Sequence, residues 1–143
     1  MEILIVESNA ADARLIAEAF RGAGLTSNIP HLENGEEVIP FLRRETPFQN
    51  VRLPDLILLD LNLPRKSGLE ILEEIRASGD LAWIPIIILS GSSNPVDIQS
   101  AYRSGANCYI RKPASLDEFL ELISACYQFW SKTVCLPPNR DEN

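Results

Sequence analysis

The feature that most limits what this chain can fold into is a set of short stretches with no polar residue in them, Ile3-Leu-Ile-Val6, Leu56-Ile-Leu-Leu59 and Ile86-Ile-Ile-Leu89. A strand with one wet face alternates apolar and polar side chains, whereas an unbroken apolar run suits a strand covered on both faces of a parallel sheet. Amphipathic stretches lie between the runs, so the chain reads as alternating strands and helices, an α/β fold. The pattern predicts strands at Ile3–Val6, Asn28–Leu32, Asp55–Asp60, Ile84–Leu89 and Asn107–Ile110. It predicts helices at Ala10–Arg21, Glu36–Arg44, Gly68–Ala77, Val96–Arg103 and Leu116–Ser131.

Boundary residues support several of these elements. Ser8 or Asn9 can cap the first helix, Gly22 and Gly24 can end it, and Ser115 with Glu118 has capping-box spacing at the start of the last. Pro40 falls inside the second helical pattern, where it removes a hydrogen bond and crowds the preceding turn, so that helix is predicted to be short, kinked or to start at Pro40. Glu45 to Pro54 reads as a loop, and Leu136 to Asn143 as a polar, frayed tail.

Length and composition remove whole classes of function. With 143 residues, 45% of them hydrophobic, the chain is sized for one domain and too apolar to be disordered. Its net charge is −7, and the densest basic clusters are only Arg43-Arg44 and Arg111-Lys112, so nothing offers a stripe to grip a nucleic acid backbone. Apolar runs of four residues are far too short to span a membrane. Glu2 and Glu7 flank the first run where a secretory signal would carry basic residues, so a cytoplasmic location is expected. Cys108, Cys126 and Cys135 have no CxxC spacing and read as free thiols. His31 stands without a ligand partner and reads as a partly buried or surface histidine.

The chemical signal lies where polar residues end the strands. In an open parallel sheet, ligands and reacting groups gather beyond the carboxyl ends of the strands. Glu7-Ser8 follows the first run, Asp60 the third, Ser90 the fourth, and Lys112-Pro113 the fifth. Carboxylates suit a hard divalent cation, a lysine and a hydroxyl suit phosphate oxygens, and a carboxylate can itself accept a phosphoryl group. Taken singly, Asp60 is equally a turn residue, Lys112 a solvated loop lysine and Ser90 the start of an ordinary turn. Their occurrence at four strand ends favours a site.

With these residues in place, the chain resembles the receiver domain of two-component response regulators across roughly Met1 to Gln128. The resemblance rests on Glu7, on Asp55-Leu-Ile-Leu-Leu-Asp60-Leu-Asn-Leu-Pro64 followed by Gly68, on Ser90, and on Tyr109-Ile-Arg-Lys112-Pro113. Ala11 to Phe20, Asn107 to Pro113 and Phe129 to Pro137 are similar to the small response regulators paired with cyanobacterial phytochromes. The resemblance implies a doubly wound, flavodoxin-like sheet of five parallel strands in the order 2-1-3-4-5, with five helices on its two faces. It also implies a receiver over residues 1–131 and a C-terminal extension over 132–143, partly ordered against the last helix or a dimer partner, with no output domain after it.

It implies roles as well. Asp60 would accept a phosphoryl group from a histidine of a sensor kinase, with Glu7, the Asp60 carboxylate and the main-chain carbonyl of Asn62 holding Mg²⁺. Lys112 would pair with phosphoryl oxygens, Ser90 would swing toward them, and Tyr109 would turn inward as Ser90 moves. Asn62 and Ser92 would tune the lifetime of the acyl phosphate. Such a protein catalyses only its own phosphorylation and dephosphorylation and is not otherwise an enzyme. Receivers usually carry two consecutive acids after the first strand, and the second is Ser8 here, a weak ligand at best. One unit-charge pair at about 4 Å and an effective dielectric near 20 is worth about 4 kcal/mol, so the loss predicts weaker Mg²⁺ binding and slower phosphorylation, partly offset by relieved repulsion.

The last helix supplies a second clue. At about 100° per residue, Leu116, Phe119, Leu120, Ile123, Tyr127 and Trp130 form one stripe, with Leu122, Cys126 and Phe129 beside it. That arc is wider than one sheet face needs, so Leu122, Cys126, Phe129 and Trp130 are predicted to form a homodimer surface, with cover by Val134 to Pro138 as the alternative. A pseudo-receiver that binds partners without phosphorylation remains the other functional reading, because of Ser8. A nucleotide-binding enzyme is disfavoured, since no glycine-rich turn follows the first strand.

Overall fold

The structure is a computed structural model that describes residues 1–138. Five parallel strands, β1 (Ile3–Val6), β2 (His31–Leu32), β3 (Leu56–Leu59), β4 (Ile86–Ser90) and β5 (Cys108–Arg111), form one sheet in the order β2-β1-β3-β4-β5. Five α-helices connect and cover them: α1 (Ala10–Ala23), α2 (Val38–Leu42), α3 (Gly68–Ala77), α4 (Pro95–Arg103) and α5 (Leu116–Gln128). This is the doubly wound architecture that the sequence predicts.

Period-two geometry explains why the apolar runs are unbroken. Leu4, Val6, Ile57, Leu59, Ile86 and Ile88 point to one layer, with Val38, Phe41, Ile71, Leu72, Ile75 and Ala101 from α2, α3 and α4. Their neighbours Ile3, Ile5, Leu56, Leu58, Ile87 and Leu89 point to the other, with Ile16 and Phe20 of α1 and Phe119, Ile123 and Cys126 of α5. Every residue of β1 and β3 is buried, and each such aliphatic side chain contributes about 1.5–3 kcal/mol by leaving water.

Register then brings the strand ends together. Ile3 to Val6 pair with Leu56 to Leu59, and Leu59 pairs with Ile88. Ser90 pairs with Arg111, and the next residue, Lys112, donates its N–H to the Ser90 carbonyl at 2.7 Å. Glu7, Asp60, Ser90 and Lys112 therefore leave the sheet along one edge.

Local chemistry sets the helix ends, with some departures from expectation. Asn9, not Ser8, caps α1, accepting the Asp12 N–H at 3.0 Å, and α1 runs through Gly22 to a Gly24 cap. Asn94 caps α4 with Pro95 in its first turn, and Ser115 caps α5 by accepting the Glu118 N–H at 3.2 Å. The second helical segment is a 3-10 turn (Gly35–Glu37) followed by only five α-helical residues, with Pro40 in the first turn, where its missing N–H costs little. β2 is two residues long instead of five, because only Ile5 and Val6 of β1 offer it a partner.

The last helix also differs. α5 stops at Gln128, and Phe129–Thr133 continue as a π-helical turn in which Val134 donates to the Phe129 carbonyl at 3.0 Å. Cys126, predicted on the dimer surface, is buried among Ile123, Phe119 and Ile87 in the monomer's own core. The cause is rotational: Phe119, Ile123 and Cys126 fall on the sheet-facing line, which leaves Leu116 57% and Leu120 37% exposed on the α1 side. The fraying expected at 139–143 lies outside the described residues. Among the described residues no helix is long and apolar enough to cross a membrane.

Candidate functional site

The two polar residues that the sheet buries most deeply at its carboxyl edge are Glu7 and Ser90, with Asp60 only slightly more exposed. Glu7 follows β1 directly and is fixed by its backbone: its N–H donates to the Leu32 carbonyl at 3.0 Å, and its carbonyl accepts from His31 Nε2 at 2.8 Å. The His31 ring itself is exposed, in keeping with a structural role. Asp60 follows β3, donating its N–H to the Val6 carbonyl at 3.0 Å, while its Oδ1 accepts the Asn62 N–H at 3.1 Å. Gly68 lets α3 begin against this turn: a Cβ there would overlap the Asp60 carbonyl oxygen, and its N–H donates to the Leu61 carbonyl.

Lys112 reaches back across the sheet edge. Its Nζ donates to Glu7 Oε1, to Asp12 Oδ2 at 3.2 Å and to Asp60 Oδ2 at 3.4 Å. Burial alone would lower the Lys112 pKa, but the hydrogen bond to Glu7 and the charges of Asp60 and Glu7 outweigh it and raise it, so the lysine stays an ammonium ion. Burial pushes Glu7 up to about 7, the facing Asp60 carboxylate adds to the rise, and Lys112 opposes it. The second Glu7 oxygen, Oε2, is buried with no hydrogen-bond partner.

Those oxygens bear on a metal. Glu7 Oε2, the Asp60 carboxylate and the exposed Asn62 carbonyl are hard oxygen donors of the kind that Mg²⁺ or Mn²⁺ takes, and an orphaned buried carboxylate oxygen is suited to a cation. Ser8, exposed, donates its hydroxyl to the Asn62 carbonyl at 3.2 Å, so where an acid would add charge it offers a neutral bond to a prospective ligand. Among the described residues, no three His, Cys, Asp or Glu side chains stand close enough to hold a metal unaided.

At the end of β4, Ser90 is wholly buried and its Oγ accepts the Ser92 N–H at 3.3 Å. Tyr109, half-buried, directs its hydroxyl to the Ser92 carbonyl at 2.8 Å and thus already faces the loop after β4. Ser92 donates to Asp97 of α4. Sequence reasoning missed two participants: Asp12, whose place in the first turn after β1 put it at the correct end of the sheet, and Tyr102, whose hydroxyl accepts the Tyr109 N–H at 3.1 Å. Asp12 lies within the Ala11–Phe20 segment that carries the resemblance but was given no role there, and Tyr102 lies outside every such segment.

Leu122, Cys126, Phe129 and Trp130 do come together, around an open groove of about 730 Å³ that Val134 also lines. Phe129 is 52% exposed, Leu122 and Trp130 are half-buried, and Cys126 forms the buried floor. The Cys126 thiol is pushed up to about 12 by burial, which keeps it protonated and unreactive.

A strand-end carboxylate beside a buried second acid and a strand-end lysine, on a sheet of this order, defines a class of protein. Residues 3–124 match the response regulator receiver domain, and the chain belongs to that family. Within the family it is related to the phytochrome response regulators of cyanobacteria. It is 37% identical over 135 residues to the response regulator Rcp1 of Synechocystis sp., covering 94% of this chain and 92% of that protein. Its fold matches the crystal structure of the phosphorylated cyanobacterial phytochrome response regulator RcpA with a TM-score of 0.91 at 41% identity, covering 96% of this chain and 98% of that one. A Mn²⁺-bound form of Rcp1 matches with a TM-score of 0.89 at 37% identity, over 95% and 98% of the two chains.

Proposed function

We propose that this receiver is switched by phosphorylation of Asp60, taking the phosphoryl group from a histidine of a phytochrome-type sensor kinase in the cytoplasm. The observation that carries this reading is the meeting of Glu7, Asp60 and Lys112 at one sheet edge, with Ser90 buried at the end of the next strand. An Asp60 oxygen attacks phosphorus, the N–P bond to the kinase histidine breaks, and the imidazole leaves. Lys112 neutralises charge on the phosphoryl oxygens and Ser90 Oγ donates a hydrogen bond to one of them. A Mg²⁺ ion held by Glu7, Asp60 and the Asn62 carbonyl would neutralise charge on the same oxygens. Ser90 gives up its bond from the Ser92 N–H in doing so, and the β4–α4 loop that also anchors Tyr109 is carried with it. Asn62 and Ser92, flanking the acceptor and the switch, govern water access and hence acyl-phosphate lifetime.

The output surface is α4, β5 and α5. Val96 and Tyr102 on α4 are exposed, Phe129 beyond α5 is exposed and lines the Leu122–Trp130 groove, and a second copy of this chain presenting the same face would close that groove. A monomeric sedimentation value at micromolar concentration, with and without phosphorylation, would remove the homodimer. Phosphotransfer from a phytochrome kinase, scored against Asp60→Asn, tests the core reading. The expected result is an acid-stable, alkali-labile adduct that is lost completely in the variant. No adduct from the kinase or from a small phosphodonor with Mg²⁺ would instead favour a pseudo-receiver that binds partners constitutively, the reading to which the neutral Ser8 lends support.

A further inference from the structure

We propose that Asp12 is a positioning residue that takes over Lys112 when a divalent cation enters the site, partly replacing the acid that this chain lacks at position 8. The inference deepens the reading of Glu7 and Asp60 as metal-holding carboxylates and rests on it. Three carboxylates from three elements meet the Lys112 ammonium: Glu7 after β1, Asp60 after β3 and Asp12 in the first turn of α1. Their exposures differ in a telling way, with the side chains of Glu7 at 3%, Asp60 at 11% and Asp12 at 39%.

At a helix start, an acid three residues after the cap often turns back to the cap's own N–H. Asp12 occupies that position, yet its carboxylate turns to Lys112. The consequence follows from competition. A cation that uses Glu7 Oε2 and Asp60 competes with the ammonium for the charge of the same two carboxylates, and the lysine side chain, only 16% exposed, would then be a poorly solvated charge with weakened partners. Asp12 provides a further partner, one hydrogen bond away and nearer to solvent, so Lys112 can yield two carboxylates and remain paired. The orphaned Glu7 Oε2 is the independent sign that the Glu7 carboxyl is not satisfied by Lys112 alone.

The test is Mn²⁺ affinity of the full chain, read from free Mn²⁺ by electron paramagnetic resonance. Asp12→Asn is expected to weaken binding by about three- to tenfold, and Asp12→Glu, which keeps the charge, to stay within about twofold of the parent. In a Lys112→Met background, Asp12→Asn is expected to change affinity by less than about twofold, since no lysine needs a new partner. Unchanged affinity in Asp12→Asn overturns the inference, and so does an equal loss with and without Lys112, which would mark a simple long-range charge effect. Should Lys112→Met fail to fold, Lys112→Gln, which keeps a polar head without the charge, supplies the same background. Absence of Mn²⁺ binding to the parent chain removes the metal reading of the site and the inference with it, whereas binding that ignores Asp12 removes the inference alone.

Discussion

β3 and β5 each deliver one half of the site, Asp60 and Lys112, but they do so from different surroundings. β3 lies between β1 and β4 with all its residues buried, so Asp60 projects from a strand held on both sides. β5 is one of the sheet's two edge strands: Cys108, Tyr109 and Ile110 are half-buried, Arg111 is exposed, and β4 is its strand partner. Its open side is covered at Tyr109 by a hydroxyl from α4 rather than by another strand. On the proposed reading, a phosphoryl acceptor would gain from a rigid platform and a surface that changes on phosphorylation would need an element of low local stability, and Asp60 and β5 differ in that sense.

The contrast can be broken most forcefully in the core. Ile57→Ala in β3 should cost about 2–5 kcal/mol, against roughly half that for Ile110→Ala in β5, because only the first removes a fully buried side chain from a packed interior. Urea unfolding of both variants checks this, and equal losses would mean that β5 is as integral as β3.

The pH dependence of stability sharpens the rigid side. Glu7 has a folded pKa of about 7 against an ordinary value of 4.5, so the native state holds a proton that the unfolded chain releases. The resulting stabilisation is fully present below about pH 4.5 and is lost as pH rises through about 7. Melting temperatures measured in a chelator should therefore show a downward contribution over that window, worth a few kcal/mol at most, that Glu7→Gln abolishes.

Ser8→Asp comes next. It restores a carboxylate beside the Asn62 carbonyl and should strengthen divalent-cation affinity by roughly tenfold or more, at some cost in stability without metal from repulsion with Glu7 and Asp60. Equal affinity in isothermal titration of the two proteins would show that Ser8 is no handicap. The smallest effect is expected at the edge itself. Tyr102→Phe removes the acceptor from the Tyr109 N–H, costing about 1 kcal/mol, and should speed hydrogen exchange at that amide while leaving β3 amides unchanged.

The hydrogen bonds of Arg76 show how the β4 and β5 side is tethered at its other end. The half-buried Arg76 of α3 donates to the carbonyls of Gly105, Ala82 and Ile84 and to Asn107 Oδ1, which also accepts the Ile86 N–H. Gly105, with φ of +108°, permits this, since a Cβ there would crowd the Arg76 side chain. One arginine thus ties α3 to the chain entering β4 and β5, close to their amino ends and away from Ser90 and Lys112 at their carboxyl ends.

What could be read from the residues alone was whatever depends on local periodicity and on strand ends. Unbroken runs such as Leu56–Leu59 announce two-sided burial, and a polar residue ending such a run has little choice but to stand at the sheet's edge, so Glu7, Asp60, Ser90 and Lys112 were recognisable together. Tertiary structure decided what depends on rotation and on distance between elements. The roll of α5 sent Cys126 inward and left Leu116 and Leu120 exposed, although all three belong to one apolar arc. The packing of α1 against the sheet edge brought Asp12 to Lys112, a hundred residues away in the chain, and the placement of α4 laid Tyr102 over β5. Sequence periodicity shows how much of a helix is apolar, but its neighbours determine which part of that face they cover.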